Sequence, residues 1–290
     1  MREIIIGNRP VGDGHPPWVV AEIGINHQGD LQTAIRLISM ANSAGAEAVK
    51  FQVRTPRLCV PKDQWDVPKE TPWGETLPYI QYRERMEFDA QQFRRIDGFC
   101  QSEWIDWFVS VWDTVAVGFI EQFNPIAYKI PSAKLTDWTL LKRVMNTGRP
   151  MILSTGMSTL DEIETALGIT RGYPILLMHC TSTYPCPDDE INLRVIEVLM
   201  DAFPDTPIGF SNHSPGILAP TLAMALGACA VEVHVTLDRA SRGSDHAASL
   251  ERPGLEHIVK YARLVPSMMG DGIKKVYLSE EDARKRLRGG

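Results

Sequence analysis

Two histidines stand at the ends of successive apolar runs in the second half of the chain. One run is Pro207-Ile-Gly-Phe-Ser-Asn-His213, and the next, Ala230-Val-Glu-Val-His-Val-Thr236, carries His234. A helix-like stretch separates the runs, so the two imidazoles are expected at the ends of neighbouring strands. Two neutral imidazoles placed in this way can hold one divalent metal ion. The pair does not decide the matter alone, because strand-end histidines are often hydrogen-bonded structural residues.

Two lysines are embedded in apolar segments, Ala-Val-Lys50-Phe-Gln and Ala-Tyr-Lys129-Ile-Pro-Ser. An unpaired charge inside a protein is costly, so each ammonium group needs a counter-charge or a ligand. Pairing with Glu22 and Glu232 would make a structural network. Alternatively, the two ammonium groups and nearby serine hydroxyls hold a phosphate or carboxylate, or one lysine forms a Schiff base.

The composition narrows the class of protein. The 290 residues are 44% hydrophobic and 23% charged, which allows one large core, and the net charge of −6 argues against a nucleic-acid-binding surface. Five scattered cysteines without a C-x-x-C motif favour reduced thiols in a cytoplasm. The N-terminal residues become polar too early in the chain for a signal peptide. The longest uncharged run, 214–231, is short for a membrane span and contains two prolines and two glycines. We therefore expect a cytoplasmic protein without a membrane or nucleic-acid partner.

Short apolar segments recur along the chain, and most of them are unbroken, which is typical of strands buried on both faces of a parallel sheet. We predict eight strands, at residues 18–25, 48–53, 107–112, 127–132, 151–156, 175–182, 207–213 and 230–237. Helical spacing predicts helices at 31–45, 137–145, 160–167, 191–203, 217–226 and 255–265. Alternation of this kind predicts a (β/α)8 barrel. A doubly wound sheet is the alternative, but no glycine-rich phosphate turn follows the first strand.

Three segments lie outside these units, within a chain that we expect to be one barrel domain over residues 1–290. Residues 1–17 are expected to form a hairpin that caps the bottom of the barrel. Residues 55–87, rich in proline and tryptophan, are the longest irregular segment and follow the second strand. Loops after barrel strands lie on the catalytic face, so this segment is a candidate lid. Residues 270–290 are assigned to a C-terminal tail.

Polar side chains at the C-terminal strand ends of such a barrel converge on one site. Each predicted strand carries at least one candidate: Glu22, Lys50, Gln52, Ser110, Lys129, Ser132, Ser154, Ser182, Tyr184, Ser211, His213 and His234. Asp245 follows the last strand and is either an acid/base group or a turn residue.

Eight strings resemble, in order, the sialic acid synthase family, the phosphoenolpyruvate-dependent synthases of nine-carbon 2-keto-3-deoxy sugar acids. The strings are AEIGINHQG (21–29), AGAEAVKFQ (44–52), YKIPS (128–132), ILSTGMS (152–158), HCTSTYP (179–185), GFSNH (209–213), EVHVTLD (232–238) and GSDHAASLE (243–251). The resemblance implies that phosphoenolpyruvate adds through C3 to the open-chain aldehyde of an N-acylmannosamine-like sugar. Water then attacks C2 and phosphate leaves by C–O cleavage. The resemblance also favours a homodimer.

The resemblance assigns roles to the candidate residues. His213 and His234 are expected to hold Mn²⁺ or Mg²⁺, which polarises the aldehyde oxygen. Phosphoenolpyruvate is expected to be bound by Lys50, Lys129, Ser132, Ser154, Ser182 and Ser211, with Gln52 and Tyr184 lining the same pocket. Glu22 and Asp245 are expected to contact sugar hydroxyls or the metal-bound water and to help move protons.

The sequence departs from the family pattern in three places. Ala133-Lys134 stands where the family usually has Gly-Glu, and that glutamate works at the reaction centre. Lys134 is therefore a candidate catalytic residue or a ligand of an anionic acceptor, unless it is a solvent-facing lysine at a helix start. A threonine hydroxyl of the family pattern is missing from the third strand; it is either lost or supplied by Ser110. The chain stops at Gly290, before the antifreeze-like domain of many members, so loops such as 55–87 are expected to recognise the acyl group.

Two other functions stay open at this point. A lysine-dependent Schiff-base aldolase would use the same barrel. A non-catalytic protein that binds phosphoenolpyruvate or a sugar acid would explain the loss of the fourth-strand glutamate. Retention of both histidines and both strand-end lysines argues against the second of these, because buried polar groups are costly unless they are used.

Overall fold

The computed structural model describes residues 2–288. Its strands are β1 (Glu3–Ile6), β2 (Arg9–Gly12), β3 (Trp18–Gly24), β4 (Ala48–Val53), β5 (Pro68–Glu70), β6 (Thr76–Pro78), β7 (Asp106–Val111), β8 (Tyr128–Ile130), β9 (Met151–Ser154), β10 (Ile175–His179), β11 (Ile208–Asn212) and β12 (Ala230–His234). Its helices are α1 (Leu31–Ser43), α2 (Pro56–Cys59), α3 (Tyr79–Met86), α4 (Ala90–Glu103), α5 (Thr114–Ile120), α6 (Trp138–Met145), α7 (Leu160–Ile169), α8 (Val195–Ala202), α9 (Leu218–Ala225), α10 (Arg252–Met269) and α11 (Leu278–Arg288).

Eight parallel strands close into a barrel in chain order, β3-β4-β7-β8-β9-β10-β11-β12, and β12 pairs with β3. Nearly every residue of these strands is buried, because helices cover the outer face and side chains fill the interior. The predicted (β/α)8 fold is therefore confirmed. Among residues 2–288, no helix is long and apolar enough to cross a membrane.

The hairpin of β1 and β2 caps the N-terminal end of the barrel, as predicted. Ile6 and Val11 are each 1% exposed and belong to the same apolar cluster as Trp18 and Phe108 of the barrel interior. Glu47 fastens the hairpin, because its carboxylate accepts hydrogen bonds from the Arg9 guanidinium at 2.6 Å and from the backbone N–H of Val19 at 2.7 Å. Polar side chains lie at the opposite end of the barrel, where the strands have their C-terminal ends.

The structure corrects three predictions of local structure. Residues 55–87 are not irregular: they contain α2, the short hairpin of β5 and β6, and α3. The strand predicted at 127–132 ends at Ile130, because Pro131 has no N–H to donate and a 3₁₀ turn follows it. The strand predicted at 175–182 ends at His179. The predicted C-terminal tail contains α11, and its last two residues, 289–290, lie outside the described part of the chain.

Helices α4 and α5 are additions to the helices predicted from sequence. Helix α4 has few apolar residues, so its helical periodicity is weak; the buried ones are Phe93, Ile96 and Cys100. A capping box of Asp89 and Gln92 nevertheless marks its start. In α5, valines and a glycine weaken the helical signal.

Asp113 joins α5 to the segment that follows β4. Its Oδ1 accepts a hydrogen bond from the N–H of Ala116 at 2.8 Å, which caps α5. Its Oδ2 accepts from the N–H of Thr55 at 2.6 Å, which fixes the first residue of segment 55–87. One buried carboxylate thus orders both elements.

Replacing Asp113 by alanine should lower the free energy of unfolding by about 2–4 kcal/mol, because a cap is lost and the N–H of Thr55 loses its partner. The measurement is urea unfolding followed by circular dichroism. Asp30→Ala is the matched control: Asp30 caps α1 through Thr33 alone and should lose only about 1 kcal/mol. Equal losses in the two variants would contradict the double role of Asp113.

Candidate functional site

Two lysines and two glutamates form one buried charge network inside the C-terminal end of the barrel. Lys50 Nζ lies 2.8 Å from Glu22 Oε2 and 3.6 Å from Glu232 Oε1, and Lys129 Nζ lies 2.7 Å from Glu232 Oε1. All four side chains are at most 4% exposed. The pairing of the two lysines with Glu22 and Glu232, one of the alternatives from the sequence, is therefore present. Within residues 2–288, Glu22 Oε2 has no partner other than this Lys50 ammonium group.

Hydroxyl and amide groups hold the charged side chains in place. Lys50 donates to Ser110 Oγ at 2.7 Å, and Ser211 donates to Glu232 Oε1 at 3.0 Å. Gln52 Nε2 donates to Glu22 Oε1 at 2.9 Å. These contacts fix the ammonium groups before any ligand arrives.

The two lysines differ in how firmly they hold a proton. Burial disfavours the charged form of Lys50, but Glu22 and Glu232 outweigh it and raise the pKa of Lys50 above its ordinary value. Burial lowers the pKa of Lys129, since the attraction of Glu232 is opposed by the charge of Lys50. Burial would raise the pKa of Glu232, but Lys129 and Lys50 together hold it below its ordinary range.

A cavity of about 190 Å³ lies over this network, at the C-terminal ends of the strands. Twelve of the residues predicted from sequence line it: Glu22, Lys50, Gln52, Ser110, Lys129, Ser132, Ser154, Ser182, Tyr184, Ser211, His213 and His234. Glu232, Trp112 and Met157 also line it and were not among the predicted site residues. Of these, Glu232 was expected from the sequence only as a counter-charge of the lysines, but its place two positions before His234, on the same face of the strand, marks it as a site residue as well.

The two histidines face each other across one side of the cavity, with ring centroids 5.5 Å apart. His213 Nδ1 lies 2.5 Å from the carbonyl oxygen of Thr181 and therefore carries the proton, which leaves Nε2 to accept from the Tyr184 hydroxyl at 2.7 Å. Burial, aided by the charge of His234, lowers the pKa of His213 to about 3. The ring of His213 is therefore neutral, as a metal ligand must be.

His234 Nδ1 is the second feature that bears on a metal. It is buried, lies 3.5 Å from Asp245 Oδ2, and has no hydrogen-bond partner among residues 2–288. A buried imidazole nitrogen without a partner, in a ring whose centroid lies 5.5 Å from that of a neutral imidazole, is a donor set that would suit a divalent metal. Within the same residues no set of three or more histidine, cysteine and acidic side chains is spaced to hold a metal.

Asp245 is brought to the edge of this site by the loop after β12. A Cβ added at Gly24 would lie 3.1 Å from Glu22 Oε1 and 3.5 Å from Asp245 Oδ2, so the two carboxylates approach the same point. Asn26, a residue not predicted to matter, anchors the loop: its amide donates to Ser249 Oγ at 2.9 Å, and Ser249 donates to the carbonyl oxygen of Asp245 at 2.7 Å.

Lys134 is not brought to the cavity lining, although its neighbour Ala133 is. Its ammonium group lies 3.3 Å from Asp137 Oδ2, and its side chain is 26% exposed. Asp137 caps α6, so the pair is a local contact at the start of that helix. The catalytic role assigned to Lys134 therefore stays a prediction without a contact to the other site residues.

Comparison with known proteins identifies the family. A model of the NeuB family matches residues 37–274. The chain belongs to the NeuB family. It is accordingly a transferase of the sialic acid synthase type, which forms a C–C bond between phosphoenolpyruvate and a sugar.

Relatives of the NeuB family match most of the chain. N-acetylneuraminate-9-phosphate synthase of Homo sapiens is 35% identical over 283 residues, which cover 96% of this chain and 78% of that protein. N,N'-diacetyllegionaminic acid synthase of Campylobacter jejuni is 36% identical over 271 residues, 91% of this chain and 80% of that protein. The crystal structure of N-acetylneuraminic acid synthetase from Leptospira borgpetersenii superposes with a TM-score of 0.87 at 31% identity, covering 100% of this chain and 98% of that one.

Gly156 leaves room for two of the serines in this NeuB-family site. An added Cβ would overlap Ser182 Oγ and lie 2.8 Å from Ser132 Oγ. The family resemblance assigns both hydroxyls to phosphoenolpyruvate. In Gly156→Ala both should turn away, so on that assignment the KM for phosphoenolpyruvate should rise about 10- to 100-fold, the effect of losing one or two hydrogen bonds to an anion. Steady-state kinetics measure this change.

Gly168→Ala is the control, since Gly168 lies in α7 with open space around it. It should leave the KM unchanged. An unchanged KM in Gly156→Ala as well would contradict the role of the two hydroxyls.

Proposed function

We propose that the protein condenses phosphoenolpyruvate with an open-chain aldose of the N-acylmannosamine type, giving a 2-keto-3-deoxy sugar acid and phosphate. The observation that carries the proposal is that one cavity combines a lysine- and serine-lined cradle with two facing histidines. The first group suits an anion and the second suits a metal-bound carbonyl oxygen. We also propose a homodimer, on the family resemblance alone.

The cradle would hold the phosphate and carboxylate of phosphoenolpyruvate. Lys50 and Lys129 supply fixed positive charge, and the hydroxyls of Ser132, Ser154 and Ser182 line the same cavity. An entering anion also offsets the mutual repulsion of the two ammonium groups, which favours the charged form of Lys129. The bound phosphoenolpyruvate is thereby oriented with C3 free to reach an aldehyde.

The histidine side would receive the aldehyde. His213 and His234 fit Mn²⁺ better than Mg²⁺, because imidazole nitrogen is a poor ligand for magnesium. A divalent cation bound there would supply Lewis-acid polarisation of the aldehyde oxygen. The Tyr184 hydroxyl donates to His213 Nε2 and would have to turn aside when that nitrogen binds a metal, because the nitrogen has a single lone pair.

Proton transfer would fall to Glu22 and Asp245. Glu22 Oε2 lies 2.8 Å from the Lys50 ammonium group and has no other partner within residues 2–288, and Gln52 orients the other oxygen of the same carboxylate. Asp245 stands beside His234. C3 of phosphoenolpyruvate forms the new bond to the aldehyde carbon, water adds at C2, and phosphate leaves as the C2–O bond breaks. The aldehyde oxygen, which becomes an alkoxide, takes up a proton and the attacking water gives one up; these two carboxyl groups would carry both protons. Ala133-Lys134 supplies no carboxylate at the fourth strand, so the two groups carry a larger share of this work.

A lysine Schiff-base aldolase is the second candidate, and the lowered pKa of Lys129 favours it. Its ion pair with Glu232 at 2.7 Å argues against it, since the pair stabilises the ammonium form, which is not nucleophilic. Borohydride treatment with pyruvate separates the two, because only a Schiff base is trapped at a lysine.

The protein should release inorganic phosphate when it is given phosphoenolpyruvate, Mn²⁺ and an aldose, and borohydride with pyruvate should leave its mass unchanged. His213→Ala and His234→Ala should each lose bound metal and turnover, because each removes one of two protein ligands. The measurements are phosphate release over a panel of hexosamines, hexoses and their phosphates, and metal content by plasma mass spectrometry.

His257→Ala is the matched control, since His257 lies exposed on α10, and it should keep both metal and turnover. Failure of every aldose to release phosphate would overturn the proposed reaction. Unchanged metal content in both site variants would overturn the metal assignment.

A further inference from the structure

The last residue of segment 55–87 is held against the residue that precedes the segment. Glu87 is the C-cap of α3, and Arg54 directly follows β4. Glu87 Oε2 accepts a hydrogen bond from the backbone N–H of Arg54 at 3.0 Å. Glu87 Oε1 lies 3.5 Å from Arg54 Nε, which makes no hydrogen bond within residues 2–288, so this second contact is an ion pair. The side chain of Glu87 is 17% exposed and that of Arg54 is 10% exposed, so solvent screens their attraction only weakly.

Arg54 connects this ion pair to the wall of the cavity. Its guanidinium lies 4.0 Å from the ring centroid of Trp112, and its Nη2 donates to Gln52 Oε1 at 2.6 Å. Trp112 and Gln52 both line the cavity, whereas Arg54 does not. Stacking on the indole face and the rigid fork of the guanidinium leave Arg54 little freedom, so it holds the amide oxygen of Gln52 in one direction.

The direction of the Gln52 amide determines how Glu22 is held. Because Arg54 occupies the amide oxygen, the amide nitrogen is the end that faces Glu22, and it donates to Glu22 Oε1 at 2.9 Å. The other oxygen of that carboxylate lies 2.8 Å from Lys50 Nζ. Each oxygen of Glu22 thus has one neighbour that fixes it, and the neighbour of Oε1 leads back through Arg54 to Glu87.

Closure of segment 55–87 does not account for these contacts. Asp113 already fixes Thr55 at the start of the segment, and the backbone N–H of Arg54 is enough to hold Glu87 at its end. Neither contact needs the guanidinium to reach the cavity wall. The hydrogen bond from Arg54 to Gln52 therefore serves the cavity and not the segment.

We propose that Glu87 is a positioning residue for the reaction: through Arg54 and Gln52 it holds the carboxylate of Glu22 in the orientation in which that carboxylate moves protons. The inference rests on the proposed function, in which Glu22 carries a proton, and goes beyond it by naming the residues that orient Glu22. A reacting group displaced by about 1 Å can lose roughly 100-fold in rate, so this chain of contacts affects turnover without touching the substrate.

Ionisation of Glu87 gives the chain of contacts a pH signature. Arg54 faces Glu87 from the end of β4, Arg83 faces it from α3, and Asp113 faces it from the start of α5. Burial raises the pKa of Glu87 to about 7; the attraction of the two arginines opposes the rise and Asp113 adds to it. Protonation removes the negative charge beside Arg54. The contacts should therefore weaken as the pH falls through about 7 and be complete above it.

The test follows kcat against pH in wild type and in Glu87→Gln, whose amide oxygen can still accept from the Arg54 N–H but carries no charge. Wild-type kcat should rise with pH and level off above about 7. In Glu87→Gln the rise should be absent, and kcat should lie about 10- to 100-fold below the wild-type plateau. The KM for phosphoenolpyruvate should stay near the wild-type value, because Ser110 and Glu232 still hold Lys50. Glu87→Asp keeps the charge and should recover part of kcat together with the rise.

Glu84→Gln is the matched control, since Glu84 lies on α3, has a side chain 38% exposed and also pairs with an arginine, Arg57, at 2.7 Å. It should match wild type in kcat and in pH profile. A rise that persists in Glu87→Gln belongs to the substrate or to another group and would overturn the inference. A wild-type kcat in Glu87→Gln would overturn it as well.

Arg54→Met interrupts the chain of contacts one residue closer to Glu22. If the contacts act as a unit, Glu87→Gln combined with Arg54→Met should lose no more kcat than Arg54→Met alone, whereas losses that multiply would overturn the inference. The double variant removes both charges of a buried pair, so it can fold even where one single variant does not. Its kcat should then lack the rise with pH, and a retained rise again overturns the inference.

Failure of the reaction itself is distinguishable from failure of this inference. If no acceptor turns over, crystal structures of wild type and Glu87→Gln still decide it. A displaced Gln52 or Glu22 side chain in the variant supports the positioning role of Glu87, and unchanged side chains overturn it.

Discussion

The ion pairs among Glu22, Lys50, Lys129 and Glu232 are the interaction on which the rest of this structure depends. Two positive and two negative side chains are buried together, and any one of them alone would be strongly unfavourable. Each comes from a different strand: β3, β4, β8 and β12. A slip of one residue in the register of any of these strands would turn its charge out of the barrel, so the network and the closed sheet specify each other.

The same network prepares the site for an anion. Its cations are already desolvated and held by Ser110, Glu22 and Glu232, so little reorganisation is needed when a phosphate or carboxylate enters. The histidines share the cavity but stand apart from the network, which separates the place for an anion from the place for a metal-bound carbonyl. The chain's membership of the NeuB family and the proposed condensation both accord with this division.

Sequence reasoning succeeded where one strand determines the answer. Unbroken apolar runs located all eight barrel strands, and a polar residue at the end of such a run has few roles other than the site, so twelve predicted residues line the cavity. It could not reach features that depend on the whole fold. Lys134 was assigned from a family position, but Asp137 three residues later offers a local partner. Asn26 carried no signal in the sequence, because its contact with Ser249 depends on how the loop after β12 folds over the barrel.

The free energy of unfolding of Glu232→Gln, with and without phosphoenolpyruvate, tests the account most directly. Without ligand the variant should be less stable than wild type by about 3–5 kcal/mol, because Lys129 loses its charged partner in a buried site. Phosphoenolpyruvate should stabilise the variant more than the wild type, since its anionic groups take the place of the missing carboxylate. Glu197→Gln, an exposed residue of α8, should behave as wild type. A Glu232→Gln variant as stable as wild type and no more responsive to phosphoenolpyruvate would contradict the account.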